Sequence, residues 1–450
     1  MNPEVVKLIE KLKIKHIQKK ITYERNFVGK LLPFYTRNPE RAKYSEGFKG
    51  VLGVVAKDSL DKQNEFIINH DEYKKNISNK LIVNKDLDKD KLIQKLFNID
   101  SLTAINHPYV LSFQPLINSD REKKGEIEVG VFINKLFDLR NNEKWIKFIS
   151  SKKIKNVVEG IVIDTLPIIP EKKGMSRNFI FFNENYYRKL MKQDLELLLD
   201  YQDFCIKYID LFLGYYYFFY VTQTIIKIGK KKDNNEIIPM YYALDTEKVS
   251  GTRESIRNGF NKIKEENKYL LVNNDVLDYL NMLINTEKYY LISEILDSMF
   301  IYKEKLTLNL AQFLEEYQFI KDKNDNNEFK NNDLASNVSL LSKWLLEDLS
   351  AETRSRFPLS VEEIGKLYFL RNRGRLGNVL NATEELVLLF TGLIVGEKPK
   401  LLKDVFKGFE LRGMFFDRLT KGEIINMYER MNLLDKKSDS GDAQYVKPIL

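Results

Sequence analysis

Three arginines surround a glycine in the run Arg371-Asn-Arg-Gly-Arg-Leu-Gly-Asn378. Guanidinium groups bind phosphate oxygens through paired N–H donors, so Arg371, Arg373 and Arg375 are typical of a strip that contacts a DNA backbone. The alternative is the end of the preceding helix, where positive side chains offset the helix dipole. Because three guanidinium groups exceed what a helix end requires, we expect contact with DNA or an acidic partner.

A second set of donors lies near the C-terminus, on the third of three helices predicted there and on the segment after it. They are Lys421, Asn426 and Arg430 on the helix, and Lys436 and Lys437 beyond it. The same helix carries Glu423 and Glu429, and residues 400–450 hold ten Lys or Arg against eight Asp or Glu. DNA-binding helices usually present a clearer cationic stripe, so docking on a partner protein stays open as the alternative.

Two other clusters have a structural and a functional interpretation. The aromatic block Tyr215–Tyr220 could stack on bases, but six consecutive rings surround a helix, so core packing is the expected role. The polar group Glu247, Lys248, Ser250 and Arg253 fits an ion-pair network or an interface, and its spacing specifies no catalysis.

The common catalytic motifs are missing from the sequence. Gly392-Leu-Ile-Val-Gly-Glu-Lys398 has the wrong spacing for an ATP-binding loop. Three histidines (His16, His70 and His107) and one cysteine are too scattered to predict a zinc site. We therefore expect no catalytic residue, no metal site and no cofactor.

A magnesium-dependent nuclease is the enzyme class that needs the fewest special residue types, because carboxylates and a lysine suffice for its metal site. Asp71-Glu-Tyr-Lys74 and Glu328-Phe-Lys330 each contain a Glu-x-Lys triplet. Nuclease cores place this triplet on a buried strand, whereas both triplets lie in polar sequence. A nuclease is therefore a third interpretation, behind DNA engagement and protein docking.

Composition indicates a folded chain of two or three domains, with 43% hydrophobic and 30% charged residues in 450. The formal net charge of +8 permits contact with a polyanion without demanding it. A single cysteine, Cys205, excludes an internal disulfide and favours a reducing compartment. Lysines interrupt the first twenty residues, and the longest uncharged run is too short to span a bilayer, so we expect a cytoplasmic protein without a membrane partner.

The predicted fold is mainly α, with a small α+β region in the N-terminal third and a C-terminal winged helix-turn-helix. The α+β region is inferred from the β-branched runs Glu126–Ile133 and Val157–Asp164. The C-terminal module would comprise a helix capped by Thr383, a second helix over Leu401–Arg412, a third opened by a capping box at Thr420, and a hairpin.

Four regions follow from the shifts in composition along the chain. They are an N-terminal α+β region (1–180), a central helical domain (181–320), a polar linker (321–334) and a C-terminal helical region (335–450) that ends in the winged helix (about 383–450).

Two segments of the chain resemble the DNA phosphorothioation-dependent restriction protein DptG family. They are Phe415-Phe-Asp417 with the run from Leu433 to Lys447, and the aromatic block with the polar group that follows it. The resemblance covers roughly the C-terminal half of the chain. It implies a non-catalytic subunit of a bacterial defence system that engages double-stranded DNA, or scaffolds a DptF-like ATPase and a DptH-like helicase or translocase. A purely protein-binding scaffold is the main rival.

Overall fold

The computed structural model describes residues 1–12, 31–33, 43–82, 88–96, 106–172, 179–181, 186–230, 237–321, 333–356, 359–436 and 444–450. Over these residues the chain is mainly helical, as expected, with small sheets. The helices up to the aromatic block are α1 (Pro3–Leu12), α2 (Lys49–Ser59), α3 (His70–Lys80), α4 (Lys89–Leu96), α5 (Asp120–Phe137), α6 (Glu143–Ser150), α7 (Val157–Thr165), α8 (Tyr186–Asp200) and α9 (Gln202–Ile228).

The remaining helices are α10 (Glu254–Asn267), α11 (Leu270–Ile284), α12 (Ile292–Ile295), α13 (Lys303–Lys321), α14 (Leu334–Asp348), α15 (Ala351–Arg356), α16 (Leu359–Ile364), α17 (Glu384–Val395), α18 (Leu402–Leu411) and α19 (Arg418–Arg430). The strands are β1 (Met240–Tyr241), β2 (Ala243–Leu244), β3 (Leu370–Asn372), β4 (Asn378–Ala382), β5 (Lys400–Leu401), β6 (Met414–Phe415), β7 (Leu434–Lys436) and β8 (Gln444–Val446). They form β1–β6, β2–β4–β3 and β5–β8–β7 sheets.

The predicted N-terminal α+β region is wrong for the described residues, because both predicted strands are helical. Glu126–Ile133 lies inside α5, and Val157–Asp164 lies inside α7. Helix α5 crosses α2 so closely that a Cβ on Gly130 would lie 2.5 Å from the Val54 side chain. Much of α5 is consequently buried on several faces, and a helix buried in this way has the same unbroken apolar run as a buried strand.

Helix α9 lies at the centre of the core and carries the aromatic block. All six side chains of Tyr215–Tyr220 are at most 1% exposed. The Tyr215 ring centre lies 4.8 Å from that of Phe390, and the Phe218 ring centre lies 5.0 Å from that of Phe369. These rings cannot stack on bases, so the expected core role is confirmed. None of the described helices is long and apolar enough to cross a membrane.

A single connected apolar cluster runs through the body, from Val5 in α1 to Val446 in β8. A smaller cluster, which includes Ile77 and Val162, joins α3 and α7. Most of the predicted linker, residues 322–332, lies outside the described residues. The proposed domain boundaries stay a prediction.

The C-terminal unit, residues 383–450, follows the order helix, strand, helix, helix, strand, strand once the short β6 is set aside. Strand β8 pairs antiparallel with both β5 and β7, with Val446 opposite Lys400 and Leu434. The Thr383 hydroxyl accepts the Leu386 N–H at 3.1 Å, so the predicted cap of α17 is confirmed. The predicted hairpin turn, Ser438–Asp442, lies outside the described part of the chain.

The predicted N-cap of the third helix, Thr420, is wrong by three residues. Helix α19 begins at Arg418, and its N-cap is Asp417, whose carboxylate accepts the Thr420 N–H at 3.0 Å. The Thr420 side chain does not cap the helix. It donates to Glu247 Oε2 at 2.9 Å, a contact with a distant segment that no local pattern contains.

Candidate nucleic-acid interface

A buried ion network fixes the N-terminus of α19 to the body of the protein. Arg253 pairs with Glu247 on one side and with Asp417 on the other. Its Nε donates to Asp417 Oδ2 at 3.1 Å and its Nη2 donates to Thr420 Oγ1 at 2.8 Å. Ser255 Oγ donates to Asp417 Oδ2 at 2.8 Å. Glu247 and Arg253 of the predicted polar group therefore belong to an internal ion network, whereas Lys248 and Ser250 are exposed and lie outside it.

The network holds Asp417 in its ionised form. Burial works to raise the pKa of this carboxyl, but hydrogen bonds from Arg253, the Thr420 N–H and Ser255 outweigh burial and lower the pKa to about 2. The negative charge also lies at the positive end of the α19 dipole, where it is favourable. The orientation of α19 is consequently set by charge as well as by apolar packing.

Two of the three predicted strip arginines bind backbone carbonyls of their own chain. Arg371 Nη1 donates to Asp245 O at 2.6 Å. Arg373 donates to Glu247 O at 2.8 Å and to Leu244 O at 3.0 Å. Burial, and secondly the charge of Arg371, lowers the pKa of the Arg373 guanidinium. These two side chains hold the segment that supplies Glu247. The half-buried Arg373 uses both terminal nitrogens in this way, whereas Arg371 is exposed and donates through Nη1 alone within the described residues.

Arg375 differs from the other two strip arginines. It lies on the exposed turn between β3 and β4, where Gly374 and Gly377 adopt positive φ angles of 60° and 67°. Its side chain is exposed and has no hydrogen-bond or ion-pair partner within the described residues. Arg375 is the member of the predicted strip that has no internal hydrogen bond among the described residues, so all its donors are open to a phosphate there.

Some of the predicted donors on α19 form hydrogen bonds within the protein, and others have no partner among the described residues. Lys421 Nζ donates to Glu410 Oε1 at 3.1 Å and lies 5.3 Å from the centre of the Phe406 ring. Arg430 donates to Glu384 Oε1 at 2.9 Å, although its side chain is 65% exposed. Asn426 is exposed and has no partner in the described part of the chain. The Lys436 backbone forms part of β7, while its side chain and all of Lys437 lie outside the description.

Sequence reasoning missed three exposed cations in the C-terminal unit. Lys403 and Lys407 are one turn apart on the solvent side of α18, and Arg418 is the first residue of α19. None of the three has a hydrogen-bond or ion-pair partner among the described residues. The sequence could have indicated Lys403 and Lys407, because they are four residues apart on the side of α18 opposite its apolar stripe. Arg418 was hidden because the helix start was placed at Thr420.

A second buried ion pair joins the C-terminal unit to the central helices. Arg412, at the end of α18, donates to both oxygens of Asp194 in α8, with Nε–Oδ2 at 2.6 Å and Nη2–Oδ1 at 2.5 Å. Tyr216 donates to the same carboxylate, and Tyr215 donates to Arg412 O at 2.7 Å. Burial works to lower the pKa of the Arg412 guanidinium, but the charge of Asp194 outweighs burial and raises the pKa. The unit is therefore clamped to the body at two places.

The remaining chemical candidates do not assemble into a catalytic site within the described residues. Asp71, Glu72 and Lys74 lie on the exposed first turns of α3, and the second Glu-x-Lys triplet lies outside the description. His107 Nδ1 accepts the Tyr109 N–H at 3.2 Å and caps a short 3₁₀ turn. The described part of the chain contains no cluster of three or more His, Cys, Asp or Glu side chains that could hold a metal ion.

Comparison with models of known protein families finds no matching family, and comparison with curated proteins finds no matching protein. The arrangement that the geometry offers is a fixed helix pair, α18 and α19, with free cations on its solvent side.

Proposed function

We propose that the chain is a non-catalytic subunit of a bacterial phosphorothioation-dependent DNA restriction system, of the DptG type, and that it engages duplex DNA. In this proposal the C-terminal unit is a winged helix-turn-helix. The order α17, β5, α18, α19, β7, β8, with β8 between β5 and β7, is the order that such modules use. The observation that carries the proposal is the set of exposed cations on α18 and α19 that have no partner among the described residues.

The proposed contact is with the DNA backbone. In this proposal α18 is the first helix of the helix-turn-helix, the helix that crosses the phosphates, so Lys403 and Lys407 are its proposed backbone contacts. Arg375, on the exposed β3–β4 turn, is a further candidate, and Lys436 and Lys437 stay predicted contacts of the wing. The ion network at Arg253 would hold α19 at a constant angle while these side chains bind.

The proposed partners of the body are the DptF-like ATPase and the DptH-like helicase or translocase, which the family resemblance implies. In this scheme the partners supply ATP hydrolysis and strand movement. The chain supplies a rigid, helical body with a DNA-contacting edge. Comparison of unmodified with phosphorothioated duplexes tests whether the chain senses the modification.

The test is a binding titration of the purified chain with labelled duplexes of about three helical turns, over salt concentrations from about 50 to 200 mM. One duplex is unmodified and the other contains phosphorothioate linkages. Wild type is compared with the double variant Lys403→Ala/Lys407→Ala. The matched control is Lys74→Ala/Lys75→Ala, which removes two exposed lysines from α3.

We expect affinity that falls steeply with salt, because neutralised phosphates release counterions. Loss of Lys403 and Lys407 should reduce the slope of log K against log salt by about 2, and the control should leave it unchanged. Absence of binding by wild type at low salt would refute the DNA role. A protein-binding scaffold would then be the better reading, since Lys421 and Arg430 are bound to Glu410 and Glu384. Cleavage that requires magnesium would instead reveal a nuclease.

A further inference from the structure

The outer face of α19 contains a glycine, Gly422, although no described element packs closely enough against it to require the missing side chain. A Cβ on Gly422 would meet nothing within 4 Å. The other α-helical glycines whose surroundings are described would all place a Cβ within 4 Å of another part of the protein. They are Gly50, Gly53, Gly130, Gly160, Gly214, Gly259, Gly392 and Gly408. At all of these positions except Gly160 and Gly214 the added Cβ would lie closer than 3.4 Å to another atom, so most of these glycines accompany a close neighbour. At Gly422 the described residues supply no such neighbour.

Glycine is a poor helix former, because it loses more backbone freedom on folding than any other residue. Its benefit in a helix is the close approach of another backbone or of a ligand. The fold does not use that benefit at Gly422, so the site offers an open depression in the middle of a helix face. An external molecule can approach the α19 axis more closely here than at a residue with a side chain.

The side chains on either side of the depression have the chemistry of base recognition. Arg418, Gly422 and Asn426 are spaced four residues apart, so they follow one face of α19 with steps of about 6 Å. Arg418 and Asn426 are exposed and have no partners within the described residues. Arginine donates in bidentate fashion to guanine O6 and N7, and asparagine pairs with adenine N6 and N7 in the major groove.

Two further residues of this face favour base edges over phosphates. Leu419 is 60% exposed and can contact a thymine methyl group. Glu423 is exposed, and a carboxylate is repelled by phosphates but accepts from the cytosine amino group. The phosphate contacts are thereby assigned to α18, and the bases to α19.

We propose that the face of α19 centred on Gly422 enters the major groove of duplex DNA and reads base edges through Arg418 and Asn426. This inference rests on the proposed DNA role and adds sequence preference to it. The missing side chain at Gly422 lets the helix axis approach the bases. Lys403 and Lys407 contribute affinity without sequence preference.

The experiment selects duplexes from a pool that is randomised over about one helical turn, and then measures the affinity of the selected duplex. The full chain is used as wild type, Gly422→Leu, Arg418→Ala and Lys403→Ala/Lys407→Ala. Gly160→Leu on α7 is the matched glycine replacement away from the C-terminal unit. Circular dichroism and the molar mass in solution are recorded for each variant, and Gly422→Leu should fold because its side chain meets open space.

We expect wild type to enrich a motif that contains guanine and adenine at a constant spacing. Gly422→Leu should weaken binding about tenfold, which is within the range of one bidentate base contact, while Gly160→Leu should not weaken it. Arg418→Ala should lose the guanine preference. The double lysine variant should lose affinity and keep the motif.

Binding by wild type without an enriched motif, or with equal affinity for Gly422→Leu, would overturn this inference and leave the DNA role in place. A change of molar mass in Gly422→Leu with unchanged DNA binding would also overturn it, because the face would then contact protein. Absence of any DNA binding by wild type would refute the proposed function itself, and this inference with it.

Discussion

Replacement of Asp417 by Asn tests whether the ion network at the start of α19 stabilises the protein through charge. Asparagine keeps one acceptor oxygen for the N-cap hydrogen bond from the Thr420 N–H. It removes the negative charge and replaces the second acceptor, which Arg253 Nε and Ser255 Oγ use, by an NH2 group. The pKa of Asp417 falls from 3.8 to about 2 in the folded protein. At about 1.4 kcal/mol per pKa unit, this difference corresponds to roughly 2 to 3 kcal/mol of stability at neutral pH.

The pH dependence follows from the direction of the shift. Because the folded-state pKa lies below the unfolded value, the stabilisation is fully present above about pH 4 and is lost as the pH falls towards 2. Asp417→Asn should therefore be less stable than wild type by about 2 kcal/mol at pH 7, after a small allowance for solvent screening. The difference in stability between Asp417→Asn and wild type should disappear as the pH falls from about 4 to about 2.

Urea unfolding followed by circular dichroism at a series of pH values measures both effects. Asp203→Asn is the matched control, because Asp203 pairs with Lys155 on the surface with side chains 83% and 52% exposed. Exposed pairs contribute about 0 to 1 kcal/mol, so this variant should differ little from wild type. Equal stabilities of Asp417→Asn and Asp203→Asn at pH 7, or a difference that persists at pH 2, would refute the reasoning.

Three other perturbations have defined outcomes. Asp194→Ala leaves the Arg412 guanidinium buried without its partner and should cost about 3 to 5 kcal/mol in urea unfolding, part of which Arg412→Met should restore in the double variant. Gly130→Ala places a Cβ 2.5 Å from Val54 and should cost about 1 to 3 kcal/mol, whereas Gly160→Ala, with its nearest neighbour at 3.4 Å, should be neutral or stabilising. Burial raises the pKa of the Cys205 thiol, so a thiol reagent should modify Cys205 only after unfolding, and rapid labelling of the folded protein would contradict its position in α9.

Local patterns in the sequence were sufficient where a structure depends on neighbouring residues. The structure agrees with three such predictions: Thr383 as a helix cap, the apolar stripe of α18, and the antiparallel pairing of the last two strands. Each of them involves residues that are close together in the sequence. The aromatic block was assigned to the core for a reason of geometry, because six consecutive rings cannot all avoid the interior of a helical protein. The same reasoning failed for Glu126–Ile133. Burial on several faces removes the periodicity that separates a helix from a strand.

The sequence determined that the chain is mainly helical, that its C-terminus ends in helices and a strand pair, and that the candidate donors are concentrated there. Only the tertiary structure decided which donors are free. Arg371 and Arg373 bind carbonyls at positions 244–247, and Lys421 binds Glu410, whereas Lys403, Lys407 and Arg418 face solvent. The reason is that a side chain's charge follows from its chemistry, whereas its availability to a ligand depends on the groups that folding brings next to it. For Arg371 and Arg373 the carbonyl groups that they bind are more than a hundred residues away in the sequence.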